Sequence, residues 1–161
     1  MATPVTATEL LFGKIIPYFL LGLMAMTLCL LLAVFVFDVP FRGSLIALYA
    51  LCATFLIPAL GQGLLISAVT KNQFLASQLA LISAFLPAFL LSGFLFEIDS
   101  MPLVIQWITV IVPARYLIPS LQTVFLAGDI WPMFGKAIAI MLLMGTILFV
   151  LAARNIRKRI A

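Results

Sequence analysis

Charged residues are scarce in this chain of 161 residues, and histidine is missing from it altogether. Asp, Glu, Lys and Arg make up 9% of the residues, whereas 66% are hydrophobic and the mean hydropathy is +1.33. A water-soluble domain carries about 25% charged residues, because its core must be covered by groups that water solvates. Nine basic and five acidic side chains are too few to cover a globule of this size. The composition therefore indicates a protein whose main solvent is lipid.

The missing residue types exclude several kinds of chemistry from this sequence. Without histidine it has no imidazole metal site and no Ser-His-Asp triad. The two cysteines, Cys29 and Cys52, stand inside apolar runs and are typical of small core residues. No GxxxxGK[ST] phosphate-binding loop occurs, so ATP is not bound by that route. We predict no metal, no cofactor and no enzymatic activity for this chain.

The basic charge is concentrated at one end of the sequence. The pI is about 9.4, a value that in another context would suggest nucleic-acid binding. However, four of the nine basic residues fall in the last eight positions, namely Arg154, Arg157, Lys158 and Arg159. A cluster of this kind is typical of the cytoplasmic flank of a membrane span. We therefore predict no nucleic-acid partner.

Intervals without charge locate the membrane spans. A charged side chain at mid-bilayer costs about 2.5–3.5 kcal/mol, and about 20 apolar residues cross the hydrocarbon core as a helix. Four spans are predicted, at residues 15–37, 43–70, 72–96 and 131–153. Residues 1–13 are predicted to form a short interfacial helix, with Glu9 in its first turn. The predicted fold class is all-α, a polytopic helix bundle in the lipid bilayer.

The loop charges predict the orientation of these spans. Six basic residues fall on one side, and they are Lys14, Lys71 and the four of the carboxy-terminal cluster. Arg42, Arg115 and Lys136 fall on the other side together with four of the five acidic residues. The positive-inside rule then places both termini in the cytoplasm.

Residues 97–130 are too apolar for a free loop and too interrupted for a span. Pro102, Pro113 and Pro119 divide this segment into short pieces, two of which have apolar residues at helical spacing. We favour a re-entrant helical hairpin that enters the membrane from the outer side. The alternative is a surface loop with two amphipathic turns.

Small residues recur at every fourth position in three of the spans, among them Ala25, Cys29 and Ala33 in the first. Ala76, Ala80, Ala84 and Ala88 form such a stripe in the third span, and Ala59, Gly63 and Ser67 form one in the second. Small residues let helix backbones approach closely in lipid, so helix packing is favoured over a role in a substrate path. No charged residue lies at mid-depth in any span, which argues against transport coupled to protons or sodium.

Several ordered motifs together resemble the carboxy-terminal part of ABC-2 type exporter permeases, above all those of bacterial drug-efflux systems. The segment TPVTATELLFGKIIPY (3–18) is similar to the family's approach to its third membrane helix. DVPFRGS (38–44) resembles its short outer turn, and GLLISAVTKNQFLASQ (63–78) its inner turn. LSGFLFEIDSMP (91–102) and IVPARYLIPSLQTVFLAG (111–128) resemble its outer re-entrant hairpin. The pattern covers essentially the whole chain.

The resemblance implies roles for particular residues. Family members have six membrane helices, so this chain would correspond to the last four, as a fragment of a longer permease. Residues 1–13 would be the coupling helix that rests on the ATPase, with Pro4, Glu9 and Lys14 at this contact. The outer gate and re-entrant hairpin would include Gly93, Glu97, Pro113, Arg115 and Tyr116.

The resemblance also implies a function and partners. The chain would belong to the transmembrane permease of an ATP-driven exporter that moves a drug, a lipid or another hydrophobic or amphipathic substrate out across the bacterial inner membrane. Hydrolysis of ATP would take place in a separate ABC ATPase subunit, and an identical or sister permease would complete a dimer. A periplasmic adaptor protein is a further partner that the resemblance allows. Two other functions stay open from the residues alone, a non-transporting scaffold or assembly subunit and a channel-like four-helix module.

Overall fold

The structure, a computed structural model, describes residues 7–70 and 72–160, and for residues 7, 8, 10, 11 and 156–160 it describes the backbone alone. Within these ranges the chain forms helices joined by short links and no strand. A short 3-10 turn, Ile98–Ser100, follows the third helix. The helices are α1 (Ala7–Phe35), α2 (Leu45–Val69), α3 (Gln73–Leu90), α4 (Leu103–Thr109), α5 (Ala114–Leu126) and α6 (Trp131–Ile160). The predicted all-α fold is confirmed.

Four of these helices are long and apolar enough to cross a membrane. They are α1 over Phe12–Phe35, the whole of α2 and of α3, and α6 over Trp131–Asn155. Helices α4 and α5 follow one another with a bend of 81°, and they would make a fifth crossing if the pair were a single broken span. The four long helices agree with the four spans predicted from the charge-free intervals.

Helix α1 has no break between residues 7–13 and the first span. A separate interfacial helix was expected there, but the described part of that segment is the beginning of one 29-residue helix. No proline stands between Ala7 and Ile16, and Gly13 alone costs only about 1 kcal/mol in a helix. The first six residues, including Pro4, lie outside the described residues.

Helix α3 ends earlier than the predicted third span, which extended to residue 96. Its last residue is Leu90, and residues 91–96 form bends that lead towards the 3-10 turn. Gly93 has a φ of +88°, a conformation that side chains with a Cβ atom rarely adopt. Gly93 thus lies in the bent link after the helix, where the sequence remains apolar.

Helices α2 and α6 pack along a seam that forms the core of the bundle. Their buried residues recur at intervals of three and four, as expected for two helices crossing at a small angle. On α2 they are Ala47, Leu48, Leu51, Thr54, Pro58, Gly61 and Ala68, and on α6 Phe134, Ala137, Met141, Gly145 and Ala152. Leu117 and Val124 of α5 complete this core.

Two glycines bring α2 and α6 close together. A Cβ atom added to Gly145 would lie 2.7 Å from Ile57 Cγ2 and 3.1 Å from the backbone nitrogen of Pro58. A Cβ atom on Gly61 would lie 3.1 Å from Leu148 Cβ, whereas one on Gly63 would meet no atom within 4 Å. The packing face of α2 is therefore the one that carries Gly61, and the predicted stripe of Ala59, Gly63 and Ser67 lies beside it.

Helices α1 and α3 lie at the edge of the bundle. The apolar windows of both contain no buried residue, against 39% buried in α2. One hydrogen bond, 2.7 Å between Thr27 Oγ1 and the Tyr49 hydroxyl, joins α1 to α2. Their apolar outer faces therefore require lipid or further protein as a neighbour.

Candidate functional site

A cavity of about 490 Å³ lies between α2, α3, α6 and the corner where α4 meets α5. Its walls are apolar except for Gln62 and Ser83. The residues that line it are Phe55, Ala59, Gln62, Ser83, Ala84, Pro87, Ala88, Leu91, Ile108, Ile111, Val112, Pro113, Ala114, Met144, Ile147 and Leu148. A space of this size and lining matches sites that take small apolar or amphipathic molecules.

The polar groups of this cavity hold α3 to α2. Gln62 Nε2 donates to both the backbone oxygen and the hydroxyl oxygen of Ser83, each at 3.1 Å. The other side of α3 is uncovered, with Phe85 57% exposed and its ring stacked on Phe89 at 5.3 Å. Helix α3 is thus held along one side, beside the cavity.

The predicted alanine stripe of α3 divides into two parts. Ala84 and Ala88 line the cavity, while Ala76 and Ala80 are half-buried residues nearer the beginning of the helix. Ala84 is exposed in this chain, and α3 contains no buried residue. The role of the alanine stripe in helix packing stays a prediction.

The corner between α4 and α5 is closed by side chains of α5. Arg115 Nη1 donates to the backbone oxygen of Gln106 at 2.9 Å and also to Thr109 Oγ1. The Tyr116 hydroxyl donates to the backbone oxygen of Val110 at 3.1 Å. Carbonyls at the end of a helix lack partners within it, and these two side chains supply them. Pro113 stands at the N-cap of α5 and also lines the cavity, so three predicted hairpin residues meet at this corner.

The other two residues predicted for the gate, Gly93 and Glu97, lie in the link between α3 and α4. Glu97 is exposed and stands at the N-cap of the 3-10 turn. A Cβ atom on Gly93 would lie 3.3 Å from the side chain of Ile98, so the link folds closely on itself. Next to Gly93, Ser92 is fully buried, and its hydroxyl has no hydrogen-bond partner among the described residues. Of the five residues predicted for the outer gate and hairpin, two therefore lie in the link and three at the corner.

The end of the hairpin is tied to the turn between α1 and α2. The backbone N–H groups of Arg42 and Gly43 donate to the carbonyl oxygens of Phe125 and Val124, at 3.3 and 2.8 Å. A Cβ atom on Gly43 would lie 2.7 Å from the Val124 carbonyl oxygen, so only glycine fits this approach. Sequence reasoning missed this tie, and the glycine of DVPFRGS was its only signal.

Asp129 adds a charged contact at the same place. The backbone N–H of Ser44 donates to Asp129 Oδ1 at 2.8 Å, while the Ser44 hydroxyl oxygen caps α2 at the Ala47 N–H. Hydrogen bonds from the Ser44 hydroxyl and then from its backbone amide lower the pKa of Asp129 below its ordinary value. The anionic carboxylate therefore ties residue 129, beyond α5, to the beginning of α2.

The described residues predicted to contact an ATPase lie at the opposite end of the bundle from the hairpin. Glu9 is exposed in the first turn of α1. Lys14 is exposed and lines a cavity of about 420 Å³ between α1 and α2. Pro4 lies outside the described residues. In the described ranges, no three His, Cys, Asp or Glu side chains are grouped so that they could hold a metal ion.

Comparisons with known proteins agree with the motifs. The family described as ABC-2 family transporter protein matches residues 1–154. The chain is 55% identical over 130 residues to the Escherichia coli protein named "Probable multidrug ABC transporter permease YbhS", covering 81% of this chain and 34% of that relative. It is 28% identical over 144 residues to "Probable multidrug ABC transporter permease YbhR" of the same species, covering 83% of this chain and 38% of the relative.

A more distant relative is found in a eukaryote. "ABC transporter G family member 20" of Dictyostelium discoideum is 27% identical over 136 residues, which are 81% of this chain and 18% of that protein. The chain spans about a third of the length of the bacterial relatives that it matches. No solved structure matches it. Because the family match extends over almost the whole sequence, the chain belongs to the ABC-2 family of transporter proteins.

Proposed function

We propose that this chain is part of the transmembrane permease of an ATP-driven exporter that moves hydrophobic or amphipathic molecules out across the bacterial inner membrane. Membership of the ABC-2 family and the similarity to bacterial proteins named as probable multidrug permeases support this proposal. ATP hydrolysis takes place in a separate ABC ATPase subunit, and a second permease, identical or related, completes the assembly. No observation on the described residues favours a scaffold, and a periplasmic adaptor stays a prediction.

The cavity between α2, α3, α6 and the hairpin is the observation that carries the proposal. Its apolar walls suit a drug or a lipid, since release from water drives such molecules into apolar space at about 25 cal/mol per Å². Gln62 and Ser83 give a polar atom of the substrate a place to bond. A site with few polar groups accepts many substrates, which suits a multidrug permease.

The charges support an orientation with the hairpin outside. Lys14 and Arg154 lie at the end of the bundle opposite the hairpin, where the basic cluster of the last eight residues also begins. The positive-inside rule then places both termini in the cytoplasm. In this orientation the first turns of α1, with Glu9 and Lys14, face the ATPase and transmit its closure to the first span.

The hairpin is suited to act as an outer gate. One end of it is tied to the α1–α2 turn at Gly43, and the other continues through Gly93 into α3. Pro113 lies at the corner and lines the cavity, with Arg115 and Tyr116 beside it closing the end of α4. Movement of α3 relative to α2 therefore changes the distance between the cavity walls and the hairpin corner.

The proposal is tested by filling the cavity. Ala84→Trp places a large ring in the cavity, while Ala76→Trp places the same ring on the same helix outside it. Both variants are made in the full-length permease and reconstituted with its ATPase in proteoliposomes. We expect Ala84→Trp to abolish export of a fluorescent hydrophobic drug and Ala76→Trp to retain it.

Two controls separate transport from folding. Gel filtration and co-purification of the ATPase report assembly, and both are expected to be unchanged in the two variants. Export by assembled Ala84→Trp at the wild-type rate would contradict a substrate path through this cavity. Absence of ATP-dependent export by the wild-type complex, for any of a panel of drugs and lipids, would contradict the exporter itself.

A further inference from the structure

A second cavity, of about 550 Å³, lies between α5 and the first turns of α6. It is separate from the substrate cavity, and its lining includes two basic residues, Arg115 and Lys136, but no acidic one. Met133, Ala137 and Ile140 of α6 are apolar and flank Lys136 along the wall of this cavity. The cavity thus combines two positive charges with a largely apolar lining.

Lys136 carries an uncompensated charge within a candidate membrane span. It is the sixth residue of α6, so it lies about 7.5 Å along the axis from the first one, at a rise of about 1.5 Å per residue. Its side chain has no hydrogen-bond or ion-pair partner among the described residues. Ionisable residues inside a span are costly and usually face a partner or a functional site. The cavity beside Lys136 has room for an anion that would compensate this charge.

Arg115 points to the same conclusion. Its Nη1 atom is occupied by Gln106 and Thr109, but a guanidinium has five N–H donors, and Nε and Nη2 have no partner among the described residues. Asp129, the nearest carboxylate along the chain, accepts from Ser44 and does not line the cavity. Two sets of cationic N–H donors therefore face one space without a neighbouring carboxylate.

The other polar groups of the cavity are already bonded within the chain. The Tyr116 hydroxyl donates to Val110, and the Ser120 hydroxyl donates to the Tyr116 carbonyl oxygen at 2.8 Å. Recognition in this cavity is therefore by charge and cationic N–H groups. Phosphate oxygens are the acceptors that such groups bind best.

We propose that this cavity binds the phosphate headgroup of an anionic phospholipid of the bilayer. A lipid is favoured over a soluble phosphate because most of the lining is apolar and Lys136 belongs to a candidate membrane span. Trp131 is 53% exposed at the beginning of α6, as expected for a residue at the membrane interface, which is also the depth of a headgroup. The site is thus a lipid site beside the hairpin, distinct from the proposed substrate path.

The test compares lipids and variants in the full-length permease purified in detergent. Native mass spectrometry measures the retention of phosphatidylglycerol and of zwitterionic phosphatidylethanolamine. Lys136→Gln removes the free charge, Lys136→Arg keeps it, and Arg42→Gln removes an exposed charge at the same end of the bundle but outside the cavity. We expect wild-type protein to retain phosphatidylglycerol preferentially, with about fivefold weaker retention in Lys136→Gln. Lys136→Arg and Arg42→Gln are expected to behave as wild type.

Each other outcome overturns the proposal. Equal retention of the two lipids by wild-type protein would show that no anionic lipid site exists, whatever the folding of the variants. An equal loss of phosphatidylglycerol retention in Arg42→Gln and Lys136→Gln would show that retention depends on the overall surface charge and not on this cavity. Displacement of the lipid by millimolar inorganic phosphate would assign the cavity to a soluble anion. Because no step of this experiment measures transport, its failure leaves the exporter proposal to be tested separately.

Discussion

The close approach of α6 to α2 at Gly145 gives a quantitative test of the bundle core. Gly145→Ala adds one methyl group, which would lie 2.7 Å from Ile57 Cγ2 and 3.1 Å from the Pro58 nitrogen. Both neighbours are stiff, since one is a β-branched side chain and the other is backbone. Overpacking of this kind costs about 1–3 kcal/mol. Replacing glycine by alanine within a helix also stabilises the fold by about 0.5–1 kcal/mol, which offsets part of this cost.

Gly135 on the same helix provides the matched control. A Cβ atom there meets nothing within 4 Å, so Gly135→Ala has the helix gain without the clash. We therefore expect Gly145→Ala to be less stable than Gly135→Ala by about 1–3 kcal/mol, which is the clash term alone. Equilibrium unfolding in mixed micelles, followed by tryptophan fluorescence, measures this difference in the free energy of unfolding.

A second pair on α2 repeats the comparison. Gly61→Ala brings its methyl group to 3.1 Å from Leu148 Cβ, whereas Gly63→Ala meets no atom within 4 Å. The longer distance predicts a smaller loss for Gly61→Ala than for Gly145→Ala. The close packing of α2 and α6 is the only source of the expected difference between Gly145→Ala and Gly135→Ala. Equal stability of these two variants would therefore refute the α2–α6 seam.

Two further predictions concern the hairpin. Arg115→Ala removes the bonds from Arg115 to the Gln106 carbonyl oxygen and to Thr109 Oγ1, while the bond from Thr109 Oγ1 to Gln106 remains. We expect it to lower the free energy of unfolding by about 1–3 kcal/mol, with Arg115→Lys between wild type and Arg115→Ala. Equal stability of all three forms would rule out the cap. The contact from Ser44 lowers the pKa of Asp129, so its contribution to stability is fully present above the ordinary carboxyl pKa and is lost as pH falls through the lower pKa of the folded state. Melting temperatures of wild type and Asp129→Asn between about pH 5 and pH 3 should therefore converge as pH falls, and curves that stay parallel would exclude the contact.

The positions of the long helices could be predicted because the bilayer makes charge so costly. The three intervals between Lys14, Asp38, Lys71 and Glu97 each contain most or all of one long helix. The end of α3 could not be predicted in this way. Residues 91–96 are as apolar as the helix before them, yet the chain bends there, with Gly93 at a positive φ. Hydropathy indicates whether a segment can lie in lipid, but it does not indicate where the backbone bends.

The packing face of α2 shows a second limit of sequence reasoning. A stripe of small residues predicts close packing, and α2 carries one at Ala59, Gly63 and Ser67. The seam with α6 instead runs through Gly61, two residues away on the helix. In lipid every face of a span is apolar, so the pattern that identifies the buried side of a soluble helix is weak here. Close packing involves the small residues that face the partner helix, and that helix comes much later in the chain. Gly145 of α6, which approaches Ile57 of α2, follows it by 88 positions.

The uneven packing of the bundle indicates which parts are able to move. Helices α2, α5 and α6 share one core. The hairpin is fixed by the backbone N–H groups of Gly43 and Ser44, which donate to the Val124 carbonyl oxygen and to the Asp129 carboxylate. Helix α3 has no buried residue and is joined to α2 by the bonds from Gln62 to Ser83. Segments with few buried contacts open at the lowest free energy. We therefore expect a conformational change to displace α3 against a fixed core, and the space that such a displacement alters is the apolar cavity beside Ala84.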